Sequence, residues 1–335
     1  MKIVAVLYPG GEIAKKTPEL LGCAENALGL TDFLRNQGHE FVVLTDKEAE
    51  LDKHLPTTDI LITTPFWPAY VTKERISKAS KLQIVLTAGI GSDHIDLAAA
   101  AARKITVAEI TGSNVVSVAE QVVMHILALV RNYIPAYKQV LDGRWDIAEI
   151  AANAHDLEDK VVGIIGVGRI GQRVCERLKA FDVKMIYYDY HRLSTVEEFA
   201  LGARYANLDQ LVEQSDIITI NTPLTPETDG MFNRGLLFHM KKGAYLINTA
   251  RGRIVDTLSL VEALEKGHLA GYAGDVWFPQ PAPKDHPWRR MPNHAMVPHY
   301  SGTIFGSTKE IRGRNKRLPS PFYEWASVLN EIILL

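Results

Sequence analysis

The stretch Val161-Val-Gly-Ile-Ile-Gly166-Val-Gly168-Arg-Ile-Gly171 decides the fold. Its first five residues predict a buried strand, and the pattern of Gln172–Lys179 after it predicts a helix. Gly166 permits a tight turn, Gly168 lets the backbone approach a pyrophosphate, and Gly171 lets the helix pack closely on the strand. The helix N-terminus then presents N–H groups and a positive dipole end to phosphate. A glycine-rich turn without a ligand is the alternative reading of these residues.

A second predicted strand, Lys184–Tyr188, is followed directly by Asp189. Asp189 lies about twenty residues beyond the glycine turn, where a ribose-binding acid is expected. A carboxylate at this position accepts hydrogen bonds from both ribose hydroxyls and repels a 2′-phosphate. The pair of motifs therefore favours NAD over NADP as cofactor.

Short β-branched runs alternate with helical patterns along most of the 335 residues, a length that allows two domains. The alternation predicts an α/β protein with two Rossmann-like, doubly wound parallel-sheet domains. The predicted strands are Ile3–Tyr8, Glu40–Leu44, Ile60–Thr64, Ile84–Thr87, Val161–Ile165, Lys184–Tyr188, Ile217–Ile220, Ala244–Asn248 and Gly271–Ala273. The predicted helices are Leu28–Asn36, Gln172–Lys179, Leu208–Glu213 and Leu258–Glu265.

One long amphipathic helix is predicted within Gly112–Asp146, with Ser113 as its candidate cap, and it is placed to join the two domains. Its apolar part, Val115–Val130, is interrupted by polar residues such as Glu120 and His125. We therefore expect a buried helix at this position and no membrane span.

Composition narrows the class of protein. A net charge of −2 offers no basic footprint for nucleic acid or an anionic membrane. The two cysteines, Cys23 and Cys175, imply no disulfide framework, so a reducing compartment and a cytoplasmic location are expected. The 11 histidines show no metal-binding spacing, and no metal site is predicted.

Further motifs occur along the chain. They are Thr64-Pro65-Phe66-Trp-Pro68-Ala-Tyr70, Ala88-Gly-Ile90-Gly-Ser-Asp93-His94, Thr111-Gly-Ser-Asn114, Asn248-Thr-Ala-Arg251-Gly252, Gly274-Asp275-Val-Trp-Phe-Pro-Gln280 and Pro298-His299-Tyr-Ser301-Gly302. Together with the glycine turn, they make the chain resemble the D-2-hydroxy-acid dehydrogenase superfamily, and within it the NAD-dependent formate dehydrogenases. The resemblance implies a substrate domain of residues 1–115 plus 301–335, an NAD-binding domain of residues 116–300, a cleft between them, and a homodimer formed through the NAD-binding domain.

The resemblance also implies formate as the substrate and assigns roles to single residues. Arg251 and Asn114 clamp the formate oxygens with help from the backbone N–H of Ile90, and Pro65 and Phe66 form an apolar wall. From the residues alone, Asn114 could equally cap the helix that begins at Val115, and Arg251 could form a surface ion pair.

By the resemblance, His299 corresponds to the histidine that serves as acid/base in hydroxy-acid dehydrogenases. A glutamate partners that histidine, and Gln280 stands at the glutamate's position in this sequence. A neutral amide orients the imidazole without raising its basicity, which suits a substrate that loses no proton. The resemblance places Asp275 at the nicotinamide carboxamide. The cofactor-binding residues it implies are Gly166, Gly168, Arg169, Ile170, Gly171, Asp189, Pro223, Thr249, Ala250, Arg251, Asp275, His299, Ser301 and Gly302.

Two other functions remain open at this point. A glyoxylate or hydroxypyruvate reductase of the same superfamily would need an acid/base pair, against which Gln280 argues. A non-catalytic NAD-binding regulator, similar to the corepressors that share this fold, is the second. The segment 304–329 departs from the pattern of the family, and we hypothesise a deletion, a reading-frame error or a splice variant there that could impair activity.

Overall fold

The computed structural model describes residues 1–109 and 114–302. The chain forms two units, one of Met1–Asn114 with Gly302, and one of Val115–Ser301. Each unit contains a parallel sheet with helices between its strands, so the predicted α/β class with two such domains is confirmed. The atypical segment 304–329 and the candidate cap Ser113 lie outside the described residues.

The first unit has a five-stranded parallel sheet in the order β2-β1-β3-β4-β5. Its strands are β1 (Lys2–Val6), β2 (Glu40–Leu44), β3 (Ile60–Thr63), β4 (Ile84–Thr87) and β5 (Thr106–Glu109). Its helices are α1 (Gly11–Lys16), α2 (Thr31–Asn36), α3 (Ala49–His54), α4 (Lys73–Lys78) and α5 (Leu97–Ala102). The inner strands β3 and β4 are buried throughout because helices and loops cover both faces of the sheet.

The second unit has a seven-stranded parallel sheet in the order β12-β11-β10-β9-β6-β7-β8. Its strands are β6 (Val161–Ile165), β7 (Lys184–Tyr188), β8 (Ala203–Tyr205), β9 (Ile217–Ile220), β10 (Ala244–Asn248), β11 (Leu269–Gly274) and β12 (His294–Met296). Its helices are α6 (Val115–Val130), α7 (Tyr133–Leu141), α8 (Ile147–Ala151), α9 (Arg169–Leu178), α10 (Thr195–Leu201), α11 (Leu208–Gln214), α12 (Arg234–His239) and α13 (Thr257–Glu265).

The strand order of the second unit reverses at β6. The chain moves outward from β6 to β7 and β8, and then returns to the other side of β6 to add β9 to β12. The loops that follow β6 and β9 therefore lead in opposite directions along the sheet, one toward β7 and the other toward β10. Such a switch point is where open α/β sheets bind ligands.

Three strands escaped sequence prediction, namely β5, β8 and β12, and all three lie at sheet edges. Each has only three or four residues and is partly exposed, in contrast to the buried inner strands. An edge strand does not need a continuous apolar run, because one side of it has no neighbouring strand. The hydrophobic signal on which the prediction rested is therefore missing from these segments.

Two predicted helices are interrupted by a residue with a positive φ. The prediction of one helix over Leu28–Asn36 was wrong in its first turn: Leu28 has a φ of 57° within a short 3-10 turn, and α2 begins only at Thr31. The long helix expected within Gly112–Asp146 is broken at Asn132, which has a φ of 53°, and α7 turns away from α6 by 68°. In the described part of the chain, no single helix is long and apolar enough to cross a membrane.

Candidate functional site

The candidate residues of the second unit follow neighbouring strands at one edge of its sheet. Parallel strands present their carboxyl ends on the same side, so the residues that follow them are brought together although they are far apart in sequence. In spatial order these residues are His299 after β12, Asp275 after β11, Arg251 after β10, Pro223 after β9, Gly166 after β6 and Asp189 after β7.

The glycine turn between β6 and α9 has the three features that its spacing predicts. Gly166 has a φ of +85°, and a Cβ on it would lie 2.9 Å from the backbone nitrogen of Thr222. A Cβ on Gly171 would lie 2.1 Å from the carbonyl oxygen of Gly166, so only glycine lets α9 approach the turn. A Cβ on Gly168 would meet nothing within 4 Å. The open space beside Gly168, at the N-terminus of α9, fits a pyrophosphate.

Asp189 is held against this turn by hydrogen bonds from the backbone. Its Oδ2 accepts the N–H of Val167 at 2.8 Å, and its Oδ1 accepts the N–H of His191 at 3.1 Å. The backbone N–H of Gly166 donates to the carbonyl of Tyr188 at 2.9 Å and joins the two strand ends. Each carboxylate oxygen retains a second acceptor site, so Asp189 can still bind two ribose hydroxyls.

The loop after β10 is organised by the buried side chain of Asn248. Its amide donates to the carbonyl of Arg251 at 2.8 Å, and its Oδ1 accepts the N–H of Ala250 at 3.0 Å. The guanidinium of Arg251 donates from Nη1 to the Ala250 carbonyl at 2.7 Å. The backbone from Asn248 to Arg251 is thus closed into a turn, and it carries a half-buried arginine at the carboxyl edge of the sheet.

Asp275 is fully buried at the end of β11. Its Oδ2 accepts the N–H of Ser301 at 3.0 Å, and its Oδ1 has no hydrogen-bond partner among the described residues. A buried acceptor without a partner is costly, so this oxygen fits a donor from a ligand, such as a carboxamide. This unsatisfied oxygen, together with the open turn at Gly168, makes the second unit suited to NAD.

A buried polar pair that sequence analysis did not identify lies near Asp275. The amide nitrogen of Gln121 lies 3.1 Å from Nε2 of His125, and both side chains belong to α6. Burial lowers the pKa of His125 to about 4, although the carboxylate of Asp275 acts in the opposite direction. His125 is therefore neutral near pH 7. The spacing of four residues on one helix was the sequence signal for this contact.

Gln280 and His299 form the hydrogen-bonded pair that their motifs suggest. Nδ1 of His299 lies 2.9 Å from the Gln280 amide nitrogen and 3.2 Å from the amide oxygen. An amide can donate to Nδ1 or accept from it, whereas a carboxylate can only accept. Donation from the amide leaves the proton of a neutral imidazole on Nε2.

Two tryptophans anchor the proline-rich loop that carries Gln280. Nε1 of Trp277 donates to the carbonyl of Val297 at 2.8 Å, and Nε1 of Trp288 donates to the carbonyl of Thr257 at 3.2 Å. A Cβ on Gly252 would lie 2.6 Å from the carbonyl carbon of Trp277, so a glycine is needed where this loop passes the Arg251 loop.

In the first unit, candidate residues also follow neighbouring strands. Pro65 and Phe66 come after β3, and Ile90 comes after β4. The loops pack closely: a Cβ on Gly89 would lie 2.8 Å from Cγ of Pro65. Glu109, which sequence analysis missed, ends β5 and accepts the N–H of Gly91 at 2.9 Å, so it fixes the backbone beside Ile90.

Asn114 lies against Gly302 in the same unit. A Cβ on Gly302 would be 2.4 Å from Nδ2 of Asn114, so a larger residue at this position would require the Asn114 amide to move. Oδ1 of Asn114 is buried and has no hydrogen-bond partner among the described residues. Because this oxygen accepts no bond from the first turn of α6, the side chain does not cap that helix. No group of three metal-binding side chains occurs in the described part of the chain.

Comparison with known proteins agrees with this geometry. Residues 123–301 match the family described as D-isomer specific 2-hydroxyacid dehydrogenase, NAD binding domain. The mitochondrial formate dehydrogenase of Solanum tuberosum is 54% identical over 327 residues, which cover 96% of this chain and 86% of the relative. The formate dehydrogenase of Candida boidinii is 52% identical over 335 residues, which cover 96% of this chain and 92% of the relative.

A solved structure is similar over nearly the whole chain. The NAD-dependent formate dehydrogenase from Staphylococcus aureus in complex with NAD has a TM-score of 0.88 and 47% identity, covering 99% of this chain and 96% of that one. The fold and the site thus define a D-isomer-specific 2-hydroxyacid dehydrogenase with its NAD-binding domain. Within this family, the chain belongs to the NAD-dependent formate dehydrogenases.

Proposed function

We propose that the protein oxidises formate to carbon dioxide, with NAD⁺ as the hydride acceptor. The observation that carries the proposal is the amide of Gln280 at 2.9 Å from Nδ1 of His299, where a hydroxy-acid dehydrogenase has a carboxylate. The named activity of the similar proteins from Solanum tuberosum and Candida boidinii supports it.

Formate oxidation needs no proton acceptor. The formate anion gives up its hydrogen with the bonding electron pair, and the remaining atoms are neutral carbon dioxide. Bound NAD⁺ supplies the ring carbon that takes the hydride. The task of the protein is therefore to hold an anion in place and to stabilise the changing charge, not to remove a proton.

The Gln280–His299 pair suits this task. A carboxylate beside Nδ1 would stabilise the imidazolium and prepare the ring to accept a proton from a substrate hydroxyl. The amide carries no charge, and by donating to Nδ1 it keeps the proton on Nε2. His299 then acts as a fixed hydrogen-bond donor to a formate oxygen.

Arg251 and Asn114 supply the remaining donors in this proposal. The planar guanidinium of Arg251 binds one edge of the carboxylate, and the amide of Asn114, with the backbone N–H of Ile90, binds the other oxygen. Pro65 and Phe66 form an apolar wall that excludes water and larger acids, which strengthens the attraction between arginine and carboxylate.

We assign the two halves of the chemistry to the two domains that the sequence analysis delimits. Residues 1–115 with 301–335 form the substrate domain, and residues 116–300 bind NAD. In the second domain, Oδ1 of Asp275, which no described residue bonds, would accept a hydrogen bond from the nicotinamide carboxamide, and Asp189 would accept hydrogen bonds from the adenosine ribose hydroxyls.

An assay of NADH formation with formate, glycerate, glycolate and lactate tests the substrate. We expect turnover with formate and none with the hydroxy acids. Turnover of a hydroxy acid alone would establish the reductase alternative, and NAD binding without turnover of any acid would favour the regulator. Arg251→Gln should lower kcat/KM for formate roughly 100- to 1000-fold. Arg234→Gln is the matched control, because Arg234 makes a paired contact with Glu262 on the surface of α12.

Isotope effects test the absence of a proton-transfer step. Deuterated formate should have a lower kcat/KM, because its C–D bond breaks more slowly than the C–H bond of ordinary formate. Heavy water as the solvent should leave kcat/KM nearly unchanged. A substantial solvent isotope effect on kcat/KM would refute the proposed role of the Gln280–His299 pair while leaving the substrate assignment intact.

We further propose a homodimer formed through the NAD-binding domain. Large apolar side chains are exposed on α6, α7, α8 and the segment before α8, and they include Met124, Tyr133, Tyr137, Leu141, Trp145 and Ile147. Trp145 is 83% exposed, which is costly for a large aromatic side chain in water. Sedimentation should show a dimer that Leu141→Glu and Trp145→Glu convert to monomers, and a monomeric wild-type protein would contradict the proposal.

A cytoplasmic location also stays a proposal. Both cysteines are buried and unpaired, as expected in a reducing compartment. Because the relatives in Solanum tuberosum and Arabidopsis thaliana are named for organelles, fractionation of the source cells is the test.

A further inference from the structure

His286 lies inside the loop that carries Gln280 and contacts the backbone at two points. It is 5% exposed. Its Nε2 lies 3.1 Å from the carbonyl oxygen of Phe278, and its Nδ1 lies 3.2 Å from the backbone nitrogen of Trp288. A carbonyl only accepts and a backbone N–H only donates, so the ring is neutral, with its proton on Nε2.

The imidazole ring is also fixed between two indoles. Its centroid lies 5.3 Å from that of Trp277 at an interplanar angle of 81°, and 5.3 Å from that of Trp288 at 72°. Burial is the largest influence on the pKa of His286 and lowers it, which keeps the ring in the neutral form that these contacts require.

The two residues of the Gln280–His299 pair belong to segments that meet at this cluster. Phe278 precedes Gln280 by two residues, and Val297, which accepts from Trp277, precedes His299 by two residues. The hydrogen bond from His286 to Phe278 therefore holds the backbone just before Gln280, while Trp277 holds the backbone just before His299.

We propose that His286 is a positioning residue for hydride transfer, acting through Phe278 to hold the amide of Gln280 against Nδ1 of His299. The inference rests on the proposed function. The pair joins two side chains 19 residues apart, and a displacement of about 1 Å at a reacting group is enough to lower a rate by roughly 100-fold.

Two substitutions separate the two contacts of His286. The amide nitrogen of His286→Gln can reach the position of Nε2 and donate to Phe278, whereas the oxygen of His286→Asn can replace Nδ1 and accept from Trp288. If the contact with Phe278 positions Gln280, His286→Gln should stay within about 3-fold of the wild-type kcat/KM for formate, and His286→Asn should lose roughly 10- to 100-fold. The affinity for NAD should not change in either variant.

The corresponding substitutions of His268 are the matched control. Nε2 of His268 also bonds a carbonyl, that of Met240 at 3.0 Å, and its ring stacks on Phe238. His268 precedes β11, so it lies at the amino end of the strand whose carboxyl end carries Asp275. We expect His268→Asn to lower the melting temperature without changing kcat/KM for formate.

A double-mutant cycle tests whether His286 acts through Gln280. In a Gln280→Ala background, His286→Asn should cost almost nothing further, and additive losses would overturn the proposal. Equal losses of kcat/KM in His286→Asn and His286→Gln would also overturn it, as would a loss in His268→Asn equal to that in His286→Asn.

The ¹⁵N chemical shift of His299 Nδ1 provides a readout that needs no turnover. His286→Asn should move it toward the value in Gln280→Ala, and an unchanged shift would refute the positioning role. This spectrum tests the positioning role of His286 whether or not a substrate is turned over. Failure of the wild-type protein to oxidise formate would therefore count against the proposed function alone.

Discussion

Acidification should destabilise the NAD-binding unit through His125. The side chain is 1% exposed on α6, and its Nε2 lies 3.1 Å from the amide nitrogen of Gln121. Burial lowers its pKa from 6.5 to about 4 in the folded protein. When the chain unfolds the ring is hydrated and regains its ordinary pKa, so the unfolded state binds the proton more tightly.

The sign and the size of the effect follow from this difference. Above pH 6.5 the ring is neutral in both states and the contribution to stability is fully present; it is lost as the pH falls from 6.5 toward 4. Because one pKa unit corresponds to about 1.4 kcal/mol, the complete loss is ~3 kcal/mol. At pH 5 the unfolded histidine is protonated and the folded one is mostly neutral, so the free energy of unfolding should be lower by ~2 kcal/mol than at pH 7.5.

The measurement is urea unfolding at pH 7.5 and 5.0, for the wild type and for His125→Gln. Other groups also titrate in this range, so the informative quantity is the difference between the two proteins in their loss of stability on acidification. The variant should lose about 2 kcal/mol less than the wild type. His239→Gln, at an exposed histidine of α12, should behave like the wild type. Equal losses in wild type and His125→Gln, or an NMR titration of His125 near pH 6.5, would refute the reasoning.

Three further results are expected. Gly171→Ala should lower the melting temperature, because its Cβ would lie 2.1 Å from a carbonyl oxygen, whereas Gly168→Ala should fold normally and weaken NAD binding in calorimetry; the reverse order would contradict the assigned roles. Cys175 should not react with a thiol reagent at pH 8 until the protein unfolds, since burial raises its pKa to about 12, and rapid modification of the native protein would show otherwise. Arg75→Leu should cost about 1–3 kcal/mol in urea unfolding, because this buried guanidinium pairs with two acidic groups and bonds a carbonyl; an unchanged midpoint would show that these contacts contribute nothing.

The class of fold could be predicted because its signals are local. A strand buried on both faces must be apolar throughout, and the glycine turn needs small residues at three fixed positions. Eleven consecutive residues are therefore enough to predict β6 and its turn. The edge strands β5, β8 and β12 carry no comparable constraint, and they were found only in the structure. The start of α2 was misplaced because a positive φ at Leu28 has no sequence signature.

The candidate site also has a part that could be predicted from sequence and a part that could not. Its residue types and motifs, such as Asp189 and Gln280, were recognised from sequence and from the family resemblance. The contacts that hold them were not, because a hydrogen bond between residues distant in the chain depends on which strands become neighbours. Glu109 beside Gly91 and His286 beside Phe278 are two such contacts.

The sequence by itself determined the α/β class, the dinucleotide turn and the residue types available for binding an anion, since all of these depend on short stretches of chain. The tertiary structure alone decided that β9 lies beside β6, that Oδ1 of Asp275 has no hydrogen-bond partner within the described part of the chain, and that the amide of Gln280 meets His299. Strand order is set by the packing of helices on both faces of the sheet, and that packing depends on the whole domain at once.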